Sequence, residues 1–127
     1  MRKPLIYHLG QLPDPQLNPN KRLHFYALAK AKRDAKDMMI ALVKHQGGPK
    51  EPLPKAHITI TWIEKHKYRR DIDNLFASMK AYIDGLVTAG VLVDDNADCV
   101  SYTLRYERGN KNDTVIEITS LEEMEVT

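Results

Sequence analysis

The segment Arg69-Arg70-Asp71-Ile72-Asp73-Asn74 sets two carboxylates two residues apart, directly behind two guanidinium groups. Where a chain leaves a strand in extended geometry, residues two apart point to the same side. Asp71 and Asp73 would then repel each other unless a cation sat between them. Carboxylate oxygen is the hard ligand that Mg²⁺ prefers, and Mg²⁺ sites usually combine one or two carboxylates with water and substrate phosphate. A second acidic pair, Asp94-Asp95, follows downstream. The chemistry open to such a set is metal-assisted attack on a phosphate ester, in which the ion lowers the pKa of bound water and neutralises phosphate oxygens.

Each piece also has a plain structural use. Asp73 stands where a helix N-cap is expected, with Asp71 just outside it, and Asp94-Asp95-Asn96 suits a turn. Phosphatases and glycosyltransferases use Asp-x-Asp pairs too, although no Gly-rich phosphate loop accompanies this one. Lys80 adds to the set. On one continuous helix Asp73, Ala77, Lys80 and Asp84 fall on one stripe. Helical side chains lean towards the N-terminus, so the ammonium is expected to point to the Asp71/Asp73 end and meet a substrate phosphate there. The plain alternative is an exposed i,i+4 pair with Asp84, worth about 0.3–0.5 kcal/mol.

These residues need elements to position them. Leu5 to Leu9 reads as a first strand, and Gln11 to Asn20, with Pro13, Pro15 and Pro19, as a stiff loop. Leu23, Tyr26 or Ala27, Leu28, Ala31, Ala35, Met38, Met39 and Leu42 recur at helical spacing, which predicts a helix from about Lys21 to Lys44 ended by Gly47-Gly48-Pro49. Ala56 to Lys65 alternates as a strand, with Ile58, Ile60 and Trp62 on one face. A second helix is expected from about Asp73 to Ala89, ended by Gly90. At roughly 25 Å it would keep Asp94-Asp95 away from Asp71 unless the chain doubles back and the third strand begins beside the end of the second. Cys99 to Glu107 and Thr114 to Thr119 read as third and fourth strands joined as a hairpin. The expected fold is one α+β domain over residues 1–127, a mixed four-stranded sheet with two helices packed on it, and Leu121 to Thr127 a frayed tail.

Composition narrows the class. The chain has 127 residues, 43% hydrophobic and 28% charged, enough for a core without disulfides or structural metal. One cysteine, Cys99, cannot form an internal disulfide and fits a reducing cytoplasm. No stretch approaches the roughly 20 apolar residues of a membrane span, and the apolar run after Pro4 is too short for a signal peptide. The net charge of +2 conceals a split. Residues 1–70 hold 15 basic and 5 acidic side chains, a balance of +10, while residues 71–127 hold 4 and 12, a balance of −8. A basic portion for a polyanion beside an acidic cluster is what that division suggests.

Taken together, Arg70-Asp71-Ile72-Asp73-Asn74-Leu75, Lys80, Asp84-Gly85-Leu86, Ala89-Gly90-Val91 and Asp94-Asp95 resemble the signature of RusA-type Holliday junction resolvases, small endodeoxyribonucleases common in phages and prophages. The upstream run Asn18-Pro19-Asn20-Lys21-Arg22-Leu23-His24-Phe25 is similar to the family's N-terminal portion, so the likeness spans most of residues 5–107. It implies that Asp71, Asp73 and Asp95 are the essential acidic trio, with Asp94 in support, and that Lys80 is the catalytic lysine. In the compact family form that lysine comes one turn after the second Asp, where this chain has Ala77. An insertion of about three residues, near one turn, keeps the helix face nearly constant.

The resemblance thus implies a Mg²⁺-dependent hydrolase (with Mn²⁺ as the alternative ion) that serves DNA recombination and repair. Its place would be the cytoplasm of a bacterial host, whether encoded by the cell or by a phage or prophage. Arg69, Arg70, Lys65, Lys67 and the helix cations Lys30, Lys32, Arg33 and Lys36 are expected to hold the DNA backbone. Paired symmetric nicks suit a C₂ homodimer. The alternative is a binder of branched DNA whose metal site no longer cuts, and Asp-x-Asp alone would also suit a small-molecule phosphohydrolase.

Overall fold

The computed structural model describes residues 3–121, so the expected frayed tail lies, beyond Leu121, outside the described residues. Strand β2 (Ala56–Glu64) organises the rest. Its even-numbered residues Ala56, Ile58, Ile60 and Trp62 are fully buried, while His57, Thr59, Thr61 and Ile63 stay half-exposed. One face of the sheet therefore carries the helical layer and the other meets solvent. β1 (Leu5–His8), β4 (Asp113–Ser120), β2 and β3 (Val100–Arg108) lie side by side in that order. β1 and β4 are antiparallel, as are β4 and β2, whereas β2 and β3 run parallel. This is the expected α+β arrangement, a mixed four-stranded sheet under a helical layer.

The third and fourth strands are not a hairpin. β4 passes over the end of β2 and inserts between β2 and β1. Two strand spacings of about 4.8 Å are within reach of the four linking residues, and β2's end holds them. The Gly109 amide donates to the Glu64 carbonyl (3.1 Å), and the Lys65 amide to Asn112 Oδ1 (2.8 Å). Side-chain character accounts for the order. β3 carries Arg105, Glu107 and Arg108, charges that suit an edge, whereas β2 is apolar along its inner face and gains most from a neighbour on each side.

Helix α1 (Phe25–Gln46) buries Ala31, Ala35, Met39 and Val43, a stripe of four-residue steps. It starts later than Lys21 because the chain first turns at Asn18–Lys21, and His24 is the cap, its Nδ1 accepting from the Tyr26 amide (3.3 Å). Tyr26, one of the two residues expected on the stripe, is 74% exposed. The second expected helix is two, α2 (Ile72–Ala77) and α3 (Lys80–Thr88). They part at Ser78-Met79, where the Met79 amide bonds the Phe76 carbonyl three residues back and Ser78 Oγ bonds the Asn74 carbonyl. Met79, Tyr82, Ile83 and Leu86 remain buried across the break. No helix among the described residues is long and apolar enough to cross a membrane.

α3 crosses α1 closely at Gly85, where a Cβ would lie 2.7 Å from the Lys36 carbonyl oxygen and 2.7 Å from Met39 Cβ. Backbone cannot yield as a side-chain tip can, so Gly85→Ala is expected to cost about 1–3 kcal/mol, read as a lowered urea midpoint with an unchanged slope.

Candidate active site

Asp71 is the N-cap residue of α2, and Asp73 lies inside its first turn instead of at the expected cap. Both are exposed. The Asp71 carboxylate makes no cap hydrogen bond, and Asp73 Oδ1 accepts from the Asn74 amide (3.0 Å). What aims this segment is a pair that begins one residue upstream. Glu64 continues the buried face of β2 and is 1% exposed. Arg70 answers it with both arms of its guanidinium, Nε to Oε1 at 3.0 Å and Nη2 to Oε2 at 2.6 Å. The Tyr106 hydroxyl also donates to Glu64 Oε1, and Arg108 Nη1 stands 3.9 Å from the same oxygen. The hydrogen bond from Arg70, joined by Tyr106 and the two positive charges, holds the Glu64 carboxyl below the usual range despite its burial. Arg70 thus acts as a positioning residue through its fork on Glu64, while its side chain stays 37% exposed and Arg69 beside it is exposed too.

Lys80 opens α3. Because the helix breaks before it, the expected stripe with Asp73 and Ala77 is interrupted, and the ammonium does not turn back to Asp71 and Asp73. It bonds Asp84 Oδ1 (2.8 Å) one turn on and Asp95 Oδ2 (2.6 Å) across the fold. Asp95 arrives there because the chain reverses at Gly90, whose φ of +85° closes the helix while the Val91 amide bonds the Leu86 carbonyl. The expected third-strand placement is different. β3 begins beside the start of β2, Val100 opposite Ala56, so the return runs through Leu92, which pairs with Leu53. Asp94 braces this turn, its Oδ1 accepting from the Asp95 amide (2.7 Å) and its Oδ2 from Asn96 (3.2 Å).

The charges reinforce one another. The hydrogen bonds that Lys80 donates to Asp84 and Asp95 raise its own pKa, and the second of them lowers that of Asp95. Tyr102, packed edge-on against Phe76 (4.8 Å), has its hydroxyl pushed up to about 12 by burial and by the Asp95 charge.

Two grooves adjoin at Ser78. One, about 390 Å³, is lined by Asn18, Asn20, Arg69, Arg70, Asp71 and Asn74 among others; the second, about 360 Å³, by Leu17, Lys32, Arg33, Lys36, Lys80 and Asp84 among others. The fold therefore gathers around Lys80 three of the four α1 cations expected to hold DNA, Lys32, Arg33 and Lys36. Lys30 is instead paired with Asp34 (2.6 Å). Lys65 and Lys67 are exposed between β2 and α2. A larger cavity, about 650 Å³, sits by Leu5, Pro49–Pro54 and Ile118 and includes none of these residues.

The donors suit Mg²⁺ in kind, being hard carboxylate oxygens, with the Asp71 oxygens uncommitted to the helix they head. In arrangement they are dispersed. An ammonium occupies the cation position beside Asp95, and among the described residues no three His, Cys, Asp or Glu side chains are grouped to hold one ion. Glu64, Tyr102 and Tyr106 were missing from the expected site. Glu64 had a signal, since it keeps the parity of Ile58, Ile60 and Trp62 and is the one charged residue on that face.

A carboxylate whose pKa is lowered on folding stabilises the protein above its unfolded value, near 4.3 for Glu, and that contribution is lost as pH falls through the lower folded value. Glu64→Gln keeps the shape but offers Arg70 one acceptor too few. It is expected to cost about 1–3 kcal/mol at pH 7 and to flatten the acid limb of stability, measured by urea unfolding from pH 7 to pH 3.

No protein-family model matches the chain, and a search of curated proteins finds no significant match.

Proposed function

We propose that the chain is a Mg²⁺-dependent endodeoxyribonuclease that resolves four-way DNA junctions, in line with its resemblance to RusA-type resolvases. The observation that carries this reading is the Lys80–Asp95 contact at 2.6 Å, made across 15 residues of sequence and beside a groove lined by Lys32, Arg33 and Lys36. A purely local i,i+4 pair would need Asp84 alone. Both acids raise the Lys80 pKa, so Lys80 is permanently charged near neutrality. Its role is to offset negative charge on a phosphate, not to accept a proton. Lys32, Arg33 and Lys36 hold the DNA backbone on one side of Ser78 and Arg69 on the other. Such contacts fix register and carry no base information. On the resemblance, Asp71, Asp73 and Asp95, with Asp94 bracing the turn, would hold Mg²⁺ once drawn together from their dispersed positions, and the ion would supply an activated water and neutralise phosphate oxygens. Two symmetric nicks call for a C₂ homodimer with one site per subunit.

The dispersed carboxylates favour one second reading, a branched-DNA binder that does not cut. Incubating the protein with a synthetic four-way junction and Mg²⁺ separates the two, since the endonuclease yields nicked arms and the binder only a gel shift. Asp73→Asn is expected to lower nicking about a thousandfold, the several kcal/mol a metal supplies, and to leave binding intact. Normal cutting by that variant would overturn the assignment. Replacing Lys32, Arg33 and Lys36 with Ala is expected to weaken binding to all duplexes alike, with a salt slope shallower by about 0.9 for each phosphate that is no longer neutralised.

A further inference from the structure

We propose that His24, Phe25 and Tyr26 form a stacking platform for unstacked nucleobases at the branch point of a DNA junction, an inference that rests on the DNA reading above. Phe25 and Tyr26 are each 74% exposed, and no other large apolar side chain among the described residues exceeds 55%. The core did not omit them by accident of a loose end. They occupy the first turn of a 22-residue helix whose buried stripe is Ala31, Ala35, Met39 and Val43, and the next step back by four falls on the half-buried Ala27, not on either ring. The rings are ordered against each other. His24 stacks on Tyr26 with centroids 5.4 Å apart and planes 26° apart, and Phe25 meets Tyr26 edge-on at 5.5 Å. The hydrogen bond from the Tyr26 amide to His24 Nδ1 ties the first ring to the helix end.

The surroundings say what such a tip would meet. Residues 21–36 hold six Lys or Arg and one acid, Asp34, a setting for a polyanion. The loop that leads into the tip lines both grooves, Asn18 and Asn20 beside Arg69 and Asp71, and Leu17 beside Lys80. Aromatic faces among cations suit nucleic acid whose bases are open, because every base offers a π-face and each stack contributes about 1–3 kcal/mol. A continuous duplex hides those faces within its own stack. A four-way junction opens them where strands exchange, so the platform would favour branched over linear DNA with no base-specific hydrogen bond.

The test compares Phe25→Leu/Tyr26→Leu, which keeps apolar bulk and helix propensity, with Phe25→Tyr/Tyr26→Phe, which keeps both rings. Each protein is titrated in EDTA against a four-way junction and a linear duplex of the same arms, and its mass in solution is measured by sedimentation. The leucine variant is expected to lose about tenfold in junction affinity and less than about twofold on the duplex, while the aromatic variant matches wild type. Equal losses on both DNAs, or none, overturn the platform. So does a leucine variant that changes oligomeric state, because the rings would then be a contact between copies of the chain. If wild type binds the junction in EDTA and nicks it once Mg²⁺ is added, and the leucine variant does both equally, the platform falls and the endonuclease reading stands. If wild type binds neither DNA, both fall.

Discussion

A carboxylate sealed inside the end of a central strand must find a cation, and Glu64 finds Arg70 only six residues further along the chain. Such a pair adds little net stability, because desolvating the carboxylate offsets most of its attraction to the half-exposed guanidinium. Its effect is on geometry. The bidentate fork bends the segment after β2 back onto the strand's own end, where the Arg108 guanidinium also holds it by donating to the Tyr68 (3.0 Å) and His66 carbonyls. Asp71 and Asp73 follow directly, so their place relative to the sheet is inherited from an ion pair whose carboxylate is buried.

A second charge arrangement closes the other side. Lys80 draws Asp95 back to the start of α3, and the break at Ser78-Met79 sets the direction in which it reaches. The sheet order serves this return, since a parallel β2–β3 pair obliges the chain to come back to the start of β2 before β3 begins. The charge division of the sequence is folded together in the process. Cations of the +10 portion, on α1, face Lys80 and Asp84 of the −8 portion across one groove.

Much of this was legible locally. The period-two alternation of Ala56 to Glu64 and the four-residue steps of Ala31, Ala35 and Met39 mark their elements without any knowledge of partners, and Gly90 marks a real chain reversal. Less legible was whatever depends on competition between neighbours. Two strands joined by a short turn look the same whether they pair with each other or flank a third. The helix break also has no Pro or Gly to announce it, only a serine able to bond back to Asn74. The pairing of Arg70 with Glu64 was not legible either, because a guanidinium beside two aspartates is read from its sequence neighbours, whereas this partner lies on the buried face of β2.

Residue types, spacing and charge by themselves determined the four strands and the first helix, the α+β class, the set of carboxylates and cations, and the turn at Gly90, because each of these follows from interactions within a few residues. The tertiary structure alone decided that β4 enters between β1 and β2, that Arg70 serves Glu64, and that Lys80 pairs with Asp95 and not with Asp71 or Asp73. It also left Phe25 and Tyr26 in solvent. These outcomes turn on which groups are desolvated together, and desolvation is a property of the packed chain that no single stretch of sequence carries.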